Sequence, residues 1–247
     1  MANPYSRLQI KSIRIIRQKL GPTLGTVERW LLYKIPKTNG TKKPAKIPYY
    51  SNGRKRSGRL DSPRDQRQLV NLEEAIAAFK KDKTYTGLGL ATGPIGDGRF
   101  IQAIDLDKLE EHPEFNDLEF PADAYIELSP SLNGRRVIGV GKQFKTLGAN
   151  ETGIEAYAGG RFVTVTGIEA IGTGNGLSDL SGFVTNGLAK LHGARPHDVN
   201  TDDVVESRFI GDADDLLAEL ESALEHVDAD SRENWIEVGL ALSSLGR

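Results

Sequence analysis

The central part of the chain, residues 86–167, is a succession of short apolar or alternating segments separated by turns that contain glycine. Segments of this length and pattern are typical of β-strands, and strands of this kind need a shared sheet to bury their apolar faces. They are TGLGLATG (86–93), FIQAIDLD (100–107), AYIELSPS (124–131), RRVIGVG (135–141), GIEAYA (153–158) and RFVTVTG (161–167). The sequence therefore predicts a mixed β-sheet core, interrupted by a helical or irregular insert over 108–120.

Helical patterns flank this core on its N-terminal side. Residues 5–20 predict a short amphipathic helix, and WLLYKIP, residues 30–36, predicts a buried strand. A basic hairpin or extended loop follows. Residues 71–82 predict a second helix, with Asn71 as its cap and Glu74 three residues later. The expected fold class is α/β in the broad sense (α+β), a mixed sheet with flanking helices and a small helical segment after it.

The pattern divides the chain into four parts. We expect a basic N-terminal helix or arm over 1–27, an α/β domain over 28–190, a linker over 191–210 and the start of a helical domain over 211–247. The last part contains an acidic amphipathic stretch, ADDLLAELESALEHV, and then RENWIEVGLALSSLG.

Composition excludes several classes of site. There is no cysteine, so disulfides and thiolate zinc sites are excluded, and the four histidines have no metal-ligand spacing. Any metal would be a hard cation held by carboxylates. The sequence has neither an apolar stretch of the ~20 residues that span a bilayer nor the apolar core of a signal peptide, so we expect a cytoplasmic protein with no membrane partner.

Charge is unevenly distributed along the chain. Residues 1–67 carry 17 Lys/Arg and 3 Asp/Glu, a net of +14, whereas residues 201–247 carry 3 Lys/Arg and 13 Asp/Glu, a net of −10. A basic front half favours a polyanionic partner such as nucleic acid or nucleotide. The alternative is a solvated basic face. The predicted DNA-binding residues are Lys42, Lys43, Arg54, Lys55, Arg56 and Arg59.

Acidic residues recur on the predicted strands with a period of two. Asp105 and Asp107 share a face of their strand, because side chains alternate, and the same parity groups Glu127 with Ser129 and Ser131, and Glu155 with Tyr157. Crowded carboxylates repel one another unless a cation neutralises them, so this surface predicts Mg²⁺ or Mn²⁺. A strand end that reaches water is the simpler alternative.

Phosphate ligands are predicted beside these acids. The turn SPSLNGRR, residues 129–136, offers hydroxyls, backbone N–H groups and guanidinium forks, all of which suit phosphate oxygens. A hairpin with solvent-facing arginines is the alternative. Lys46 lies among apolar neighbours that could aim it inward, and Arg161 follows a Gly-Gly turn directly after the last acid.

In order and spacing, these motifs resemble the primase–polymerase domain of the archaeo-eukaryotic primase superfamily, in the branch found in phage, prophage and plasmid replication proteins. The resemblance covers roughly residues 28–190. It is carried by IDLDK, SPSLNGRR and GIEAYAGGRFVTVTG, with W-x-x-Y, KIPY and GLGLATG upstream. The C-terminal SALEHVDADSRENWIEVGLALSSLG resembles the opening of a helical domain that follows such primases, so we expect a fragment of a longer protein that continues into a helicase.

The resemblance implies roles for particular residues. It implies that Asp105, Asp107 and Glu155 are the catalytic acids and bind two Mg²⁺ or Mn²⁺ ions. It implies that the triphosphate is bound by Ser129, Ser131 and Arg136, with Lys46 and Arg161 as further nucleotide ligands. The sequence departs from the family pattern at two positions, with Leu132 where glycine is usual and Arg136 where histidine is usual. Leucine disfavours the positive φ that glycine tolerates.

Three functions follow as expectations. The first is a DNA primase and polymerase, a nucleotidyltransferase that makes and extends primers on single-stranded DNA from dNTPs or NTPs, with the primer strand and a helicase as further partners. The second is a non-catalytic module that binds single-stranded DNA or nucleotide in a replication protein. The third is a glycosyltransferase, since a D-x-D motif also binds metal there, although the basic front half does not fit it.

Overall fold

Two antiparallel sheets form the core of the protein. The computed structural model describes residues 7–36, 45–172, 174 and 176–193, all within the first of the two units into which the chain divides, Met1–Ser207. The α+β fold class is confirmed. In that part of the chain, no helix has both the length and the apolar character needed to cross a bilayer.

The first sheet has four strands in the order β2-β1-β3-β9. The predicted strands are present with shorter ends: β1 is Trp30–Lys34, β3 is Gly87–Ala91 and β9 is Phe162–Val165. β2, Ile47–Tyr49, lies in the segment predicted as a hairpin or loop and pairs with β1. Glycines in β3 leave room for large neighbours, because a side chain at Gly87 would collide with the Tyr33 ring.

The second sheet has five strands. β4 (Gly93–Gly96), β5 (Arg99–Asp107), β7 (Gly134–Gly141) and β6 (Tyr125–Leu128) follow one another in that order, and β8 (Ile154–Tyr157) pairs with β5. β5 is bordered by β7 along one edge and by β4 and then β8 along the other. This central position explains why its segment reads as a nearly continuous apolar run.

Alternation along β5 divides the interior into two cores. Ile101 and Ala103 pack in a larger core with the first sheet and the N-terminal helices, whereas Ile104 and Leu106 point into a second core on the opposite face. A strand that buries both faces has few positions left for charge. Asp105 and Asp107, at the C-terminal end of β5, lie on the same face as Ile101 and Ala103. They occupy the positions where this face is no longer covered by the larger core.

Four helices precede β3 in the chain: α1 (Ile10–Lys19), α2 (Gly21–Leu24), α3 (Pro63–Gln66) and α4 (Leu72–Lys81). Side chains of α1, α2 and α4 pack in the larger core with the first sheet. The predicted capping box of α4 is confirmed, with Asn71 Oδ1 accepting from the Glu74 N–H and Glu74 accepting from the Asn71 N–H. The first helix begins later than predicted, because the Leu8 N–H donates to the carbonyl of Thr86 instead of entering a helical turn.

The remaining segments differ in how well the sequence predicted them. The insert over 108–120 is irregular apart from a 3₁₀ turn, Pro113–Asp117. The Gly- and Ser-rich stretch over 171–187 runs into a helical segment that its weak periodicity did not predict: α5 (Ser181–Phe183), a π-helical turn (Val184–Leu188) and α6 (Ala189–Leu191). The predicted linker and helical domain beyond residue 193 lie outside the described residues.

Candidate active site

Four charged residues lie side by side across the second sheet. In the strand register, Asp105 is opposite Glu155 of β8 on one side and opposite Arg136 of β7 on the other, and Arg136 is opposite Glu127 of β6. Directly opposite residues of antiparallel strands share a face. We call Glu155, Asp105, Arg136 and Glu127 the cross-strand row. The predicted acids Asp105 and Glu155 are thus brought together.

The row lies at the boundary between the core and solvent. Ile104 and Leu106, on the other face of β5, are fully buried, which fixes Asp105 and Asp107 on the face of the row. The Asp105 side chain is 21% exposed, and Asp107 is also partly exposed. Apolar burial on one side of the strand therefore presents two carboxylates at an accessible edge of the other.

Asp107 and the two predicted serines meet next to the row. Asp107 is opposite Gly134. A side chain at Gly134 would begin 2.8 Å from Ser129 Oγ and 3.2 Å from Asp107 Oδ1, so glycine is needed at this position. Ser129 is buried, and its Oγ is 2.9 Å from that of Ser131, which is partly exposed. Ser131 presents the more accessible hydroxyl.

The turn between β6 and β7 keeps the backbone shape that glycine usually supplies. The Leu132 N–H donates to the Ser129 carbonyl at 2.9 Å, and the Ser129 N–H donates to the Gly134 carbonyl at 2.8 Å. Leu132 has a φ of 63°, in the left-handed region that costs a residue with a Cβ about 1–2 kcal/mol. Its side chain is 53% exposed, so burial recovers little of this cost.

Arg136, predicted as a triphosphate ligand in the turn, lies in the interior of the protein. Its side chain is only 1% exposed. Its Nη1 donates to the carbonyl and hydroxyl oxygens of Thr164, at 2.7 and 2.6 Å, and its Nη2 donates to Asp105 Oδ2 at 2.9 Å. Arg135, on the opposite face of β7, donates to the Phe115 carbonyl and to Asn116 Oδ1. The sequence did not distinguish these neighbouring roles.

Glu127 is a member of the row that was not predicted as a site residue. It is fully buried and accepts hydrogen bonds from the Tyr125 hydroxyl at 2.6 Å and from the N–H groups of Thr166 and Gly167 at 2.9 and 2.7 Å. Burial raises its pKa, although Arg136 and these donors act in the opposite direction. Glu127 holds β6 to the chain that follows β9, and this structural role depends on partners far away in sequence.

Glu155, on the open side of the cross-strand row, has polar and charged neighbours. The Tyr157 hydroxyl donates to Glu155 Oε2 at 2.5 Å, and the Arg161 guanidinium lies 5.4 Å from the centre of the Tyr157 ring. Burial and the hydrogen bond to Glu155 both raise the pKa of Tyr157. Arg161 is exposed. The predicted anion ligand Arg161 therefore packs beside the tyrosine that donates to the predicted metal ligand Glu155.

The donor set is suited to a hard cation that also binds substrate. Among residues 7–36, 45–172, 174 and 176–193, no group of three or more His, Cys, Asp or Glu side chains is placed to hold a metal ion together. Mg²⁺ commonly uses one or two carboxylates together with substrate phosphates, and the facing pair Asp105 and Glu155 fits that mode. Arg136 supplies a positive charge to Asp105, so charge crowding alone no longer requires a metal.

The predicted basic surface divides into exposed and buried residues. Arg54, Lys55 and Arg59 are exposed. Arg56, in contrast, is buried and donates to both carboxylate oxygens of Asp65, at 2.8 and 2.6 Å. Its role is an interior ion pair, and its predicted contact with DNA does not fit this placement. Lys46 is half-buried. Lys42 and Lys43 lie outside the described residues.

Buried contacts tie this basic segment to the site. Asp61, which follows the exposed basic residues, pairs with Arg29, the residue before β1, and accepts a hydrogen bond from the Gly160 N–H. Arg56 Nη1 also donates to the Arg161 carbonyl at 3.4 Å. The turn that carries Arg161 is thus held against the segment that carries Arg54 and Arg59.

A groove of about 410 Å³ runs beside β6. Its lining includes Leu118, Phe120, Arg135, Glu169 and one member of the cross-strand row, Glu127, but neither Asp105 nor Glu155. We place the candidate chemistry at the cross-strand row and not in this groove, because the groove lacks the facing carboxylates.

No protein-family model matches this chain, and no curated protein matches it. The assignment therefore depends on the geometry and on the motifs.

Proposed function

We propose that the chain is a DNA primase and polymerase that catalyses template-directed, divalent-metal-dependent nucleotidyl transfer in phage, prophage or plasmid replication. The observation that carries this proposal is the register of β5 and β8, which sets Asp105 directly opposite Glu155 on a partly open face. Asp107 follows two residues along the same face, beside Ser129. The ordered resemblance to primase–polymerase motifs supports the same reading.

The proposal gives each accessible residue a role. Asp105, Asp107 and Glu155 hold Mg²⁺ or Mn²⁺, which when bound neutralises charge on the attacking and leaving oxygens. Ser131 and Arg161 bind the triphosphate. Ser129, buried under the turn, orients Ser131 through their 2.9 Å hydroxyl contact. Lys46 is a further nucleotide ligand in this proposal.

The template lies along the exposed basic segment in this proposal. Arg54, Lys55 and Arg59 are exposed, and the segment is fastened to the turn of Arg161 through Asp61 and Arg56. Phosphate contacts of this kind give affinity without sequence preference and weaken as salt rises. Lys42 and Lys43 extend the same proposed surface.

Incorporation of labelled dNTPs and NTPs on single-stranded template, with and without primer, tests the enzymatic proposal. We expect product in Mg²⁺ or Mn²⁺ and none in EDTA. Asp107→Asn should reduce incorporation by about 100-fold or more, because it removes an accessible metal ligand. Asp97→Asn is the matched control, since Asp97 is an exposed aspartate that pairs only with Arg99 among its described contacts, and it should retain full activity. Equal activity in both variants would contradict the assignment.

Salt-dependent binding tests the basic surface separately. Replacing Arg54, Lys55 and Arg59 by serine should reduce the slope of log affinity against log salt by about 2 for single-stranded DNA, at roughly 0.7 per phosphate contact. Replacing Lys80, Lys81 and Lys83, which are also exposed, is the matched control and should leave the slope unchanged. Equal slopes in the two triple variants would contradict the proposal that DNA binds this surface.

One observation favours the second candidate, a non-catalytic module that binds single-stranded DNA or nucleotide. Arg136 pairs with Asp105, so the protein itself neutralises part of the carboxylate cluster. A module of this kind would bind DNA with the same salt dependence and give no incorporation in either metal. The incorporation assay therefore separates the two candidates.

A further inference from the structure

Arg136 links the two sheets at the point where the candidate site opens. It is on β7 of the second sheet, and its Nη1 donates to both oxygens of Thr164 on β9 of the first sheet. Its Nη2 donates to Asp105 Oδ2 at 2.9 Å, and its Nη1 lies 3.9 Å from Glu127 Oε1. One side chain thus contacts two strands of its own sheet and one strand of the other.

The chemistry of these contacts requires a planar fork. A guanidinium carries several N–H donors in fixed directions, so it can bind Thr164 with one terminal nitrogen and Asp105 with the other. A lysine ammonium is a single point charge and would have to choose between them. Arginine at this position therefore fixes the direction of the Asp105 carboxylate as well as supplying charge.

Exposure shows which member of the pair a ligand can reach. The Arg136 side chain is 1% exposed, whereas that of Asp105 is 21% exposed. A phosphate that bound Arg136 would have to displace Thr164 or Asp105 and enter the space between the sheets. A cation or substrate that bound Asp105 would contact a carboxylate whose orientation is already fixed by its hydrogen bond from Arg136.

We propose that Arg136 is a positioning residue that orients Asp105 for the reaction and does not bind the nucleotide. This inference rests on the proposed function. It also differs from the role that the primase resemblance implies for this position. In the strand register Arg136 is opposite Asp105, whereas Arg135 lies on the other face of β7.

Steady-state kinetics separate a positioning role from a binding role. Arg136→Lys should lower kcat by about tenfold or more, since small misplacements of a reacting group are costly, and should leave the KM for dNTP within about twofold. Arg135→Lys is the matched control on the same strand and should change neither constant. A KM that rises about tenfold with kcat retained would make Arg136 a nucleotide ligand, and unchanged constants would also overturn the proposal.

A second variant keeps the test decisive if Arg136→Lys does not fold. Thr164→Val removes the hydroxyl acceptor and keeps the side-chain shape. We expect a fall in kcat of about threefold with no change in KM, because the guanidinium loses one of its anchors. A rise in KM without a fall in kcat would overturn the positioning role.

A spectroscopic readout tests the pairing without turnover. In ¹⁵N-arginine spectra of the full chain, the Arg136 signals, identified by their loss in Arg136→Lys, should exchange slowly with water in the wild type. They should exchange at least tenfold faster in Asp105→Asn. Exchange that is equally slow in both proteins would show that Asp105 does not hold the guanidinium, and would overturn the proposal.

The same spectra distinguish failure of the inference from failure of the proposed function. On addition of Ca²⁺ and dNTP, the Arg161 signals should shift in a saturable way while those of Arg136 stay in place. A comparable shift of Arg136 would overturn the inference. If no signal shifts and the wild type incorporates nothing, the proposed function fails, and the exchange result still decides whether Arg136 positions Asp105.

Discussion

Three arginines in the described part of the chain, Arg29, Arg56 and Arg136, are buried and form ion pairs. The pairs of Arg56 and Arg136 differ most in the exposure of the carboxylate partner. Arg56 pairs with Asp65, whose side chain is 2% exposed and also accepts from the Tyr50 hydroxyl and the Asp61 N–H. Arg136 pairs with Asp105, whose side chain is 21% exposed. The first pair is closed on every side, and the second has one partner that faces solvent.

The comparison shows how an interior ion pair can be structural or part of a site. In a closed pair, the attraction between the charges mainly offsets the free energy of removing them from water. Removing one partner alone lowers the stability of the protein strongly. A pair with an open carboxylate holds that group in a fixed orientation where a ligand can approach it. Exposure of the acid, and not of the arginine, is what separates the two regions.

The largest expected effect is on the closed pair. Asp65→Asn should lower the free energy of unfolding by about 3–5 kcal/mol, because it leaves the buried guanidinium of Arg56 without a counter-charge. Urea unfolding at neutral pH measures this. Asp97→Asn, which disrupts the exposed pair with Arg99, is the control and should have no measurable effect. If Asp65→Asn lowered the free energy of unfolding as little as Asp97→Asn, the claim that the closed pair is structural would be contradicted.

The open pair should respond less in stability and more in function. Asp105→Asn should cost about 1.5–3 kcal/mol, the range of a hydrogen bond to a charged group, since Arg136 retains Thr164 and solvent reaches the site. Incorporation should nevertheless be lost. Parallel unfolding and incorporation assays on Asp65→Asn and Asp105→Asn check this, and a larger loss of stability at position 105 than at 65 would reverse the account.

The pH dependence sharpens the same contrast. Burial alone would raise the pKa of Asp65, but the hydrogen bonds and charge of Arg56 outweigh it and lower the pKa below its ordinary value of 3.8. The stability from this pair is therefore present above pH 3.8 and is lost as the pH falls through the lower pKa of the folded state. The difference in unfolding free energy between wild type and Asp65→Asn should shrink in that window. A difference that is constant down to pH 2 would contradict the pairing.

The smallest effect concerns the turn beside the open pair. Leu132→Gly should be more stable than Leu132→Ala by about 1 kcal/mol, because alanine keeps the penalty of a left-handed φ and glycine does not. In a helix the order would be reversed. Thermal unfolding of the two variants decides the sign, and a more stable alanine variant would show that residue 132 does not keep this conformation.

Local periodicity predicted much of the fold and part of the site. Alternation placed Asp105 and Asp107 on one face of their strand and grouped Glu155 with Tyr157 on another, because the period of a strand is a local property. It did not predict that Arg56 and Arg136 are buried. The burial of Arg56 depends on its contact with Asp65, and that of Arg136 depends on its contact with Thr164 of β9, which belongs to the other sheet. The π-helical turn Val184–Leu188 was missed because weakly periodic residues become helical by packing on the second core.

The central claim is that the open end of the cross-strand row performs metal-dependent nucleotidyl transfer. Its most direct test is primer extension in Mg²⁺ and Mn²⁺ with Glu155→Gln and Glu127→Gln, two carboxamide substitutions in the same row. We predict that Glu155→Gln folds normally and loses incorporation, while Glu127→Gln loses stability and keeps metal-dependent incorporation below its unfolding temperature. Full activity in Glu155→Gln would contradict the claim, and so would a wild type that incorporates nothing in either metal.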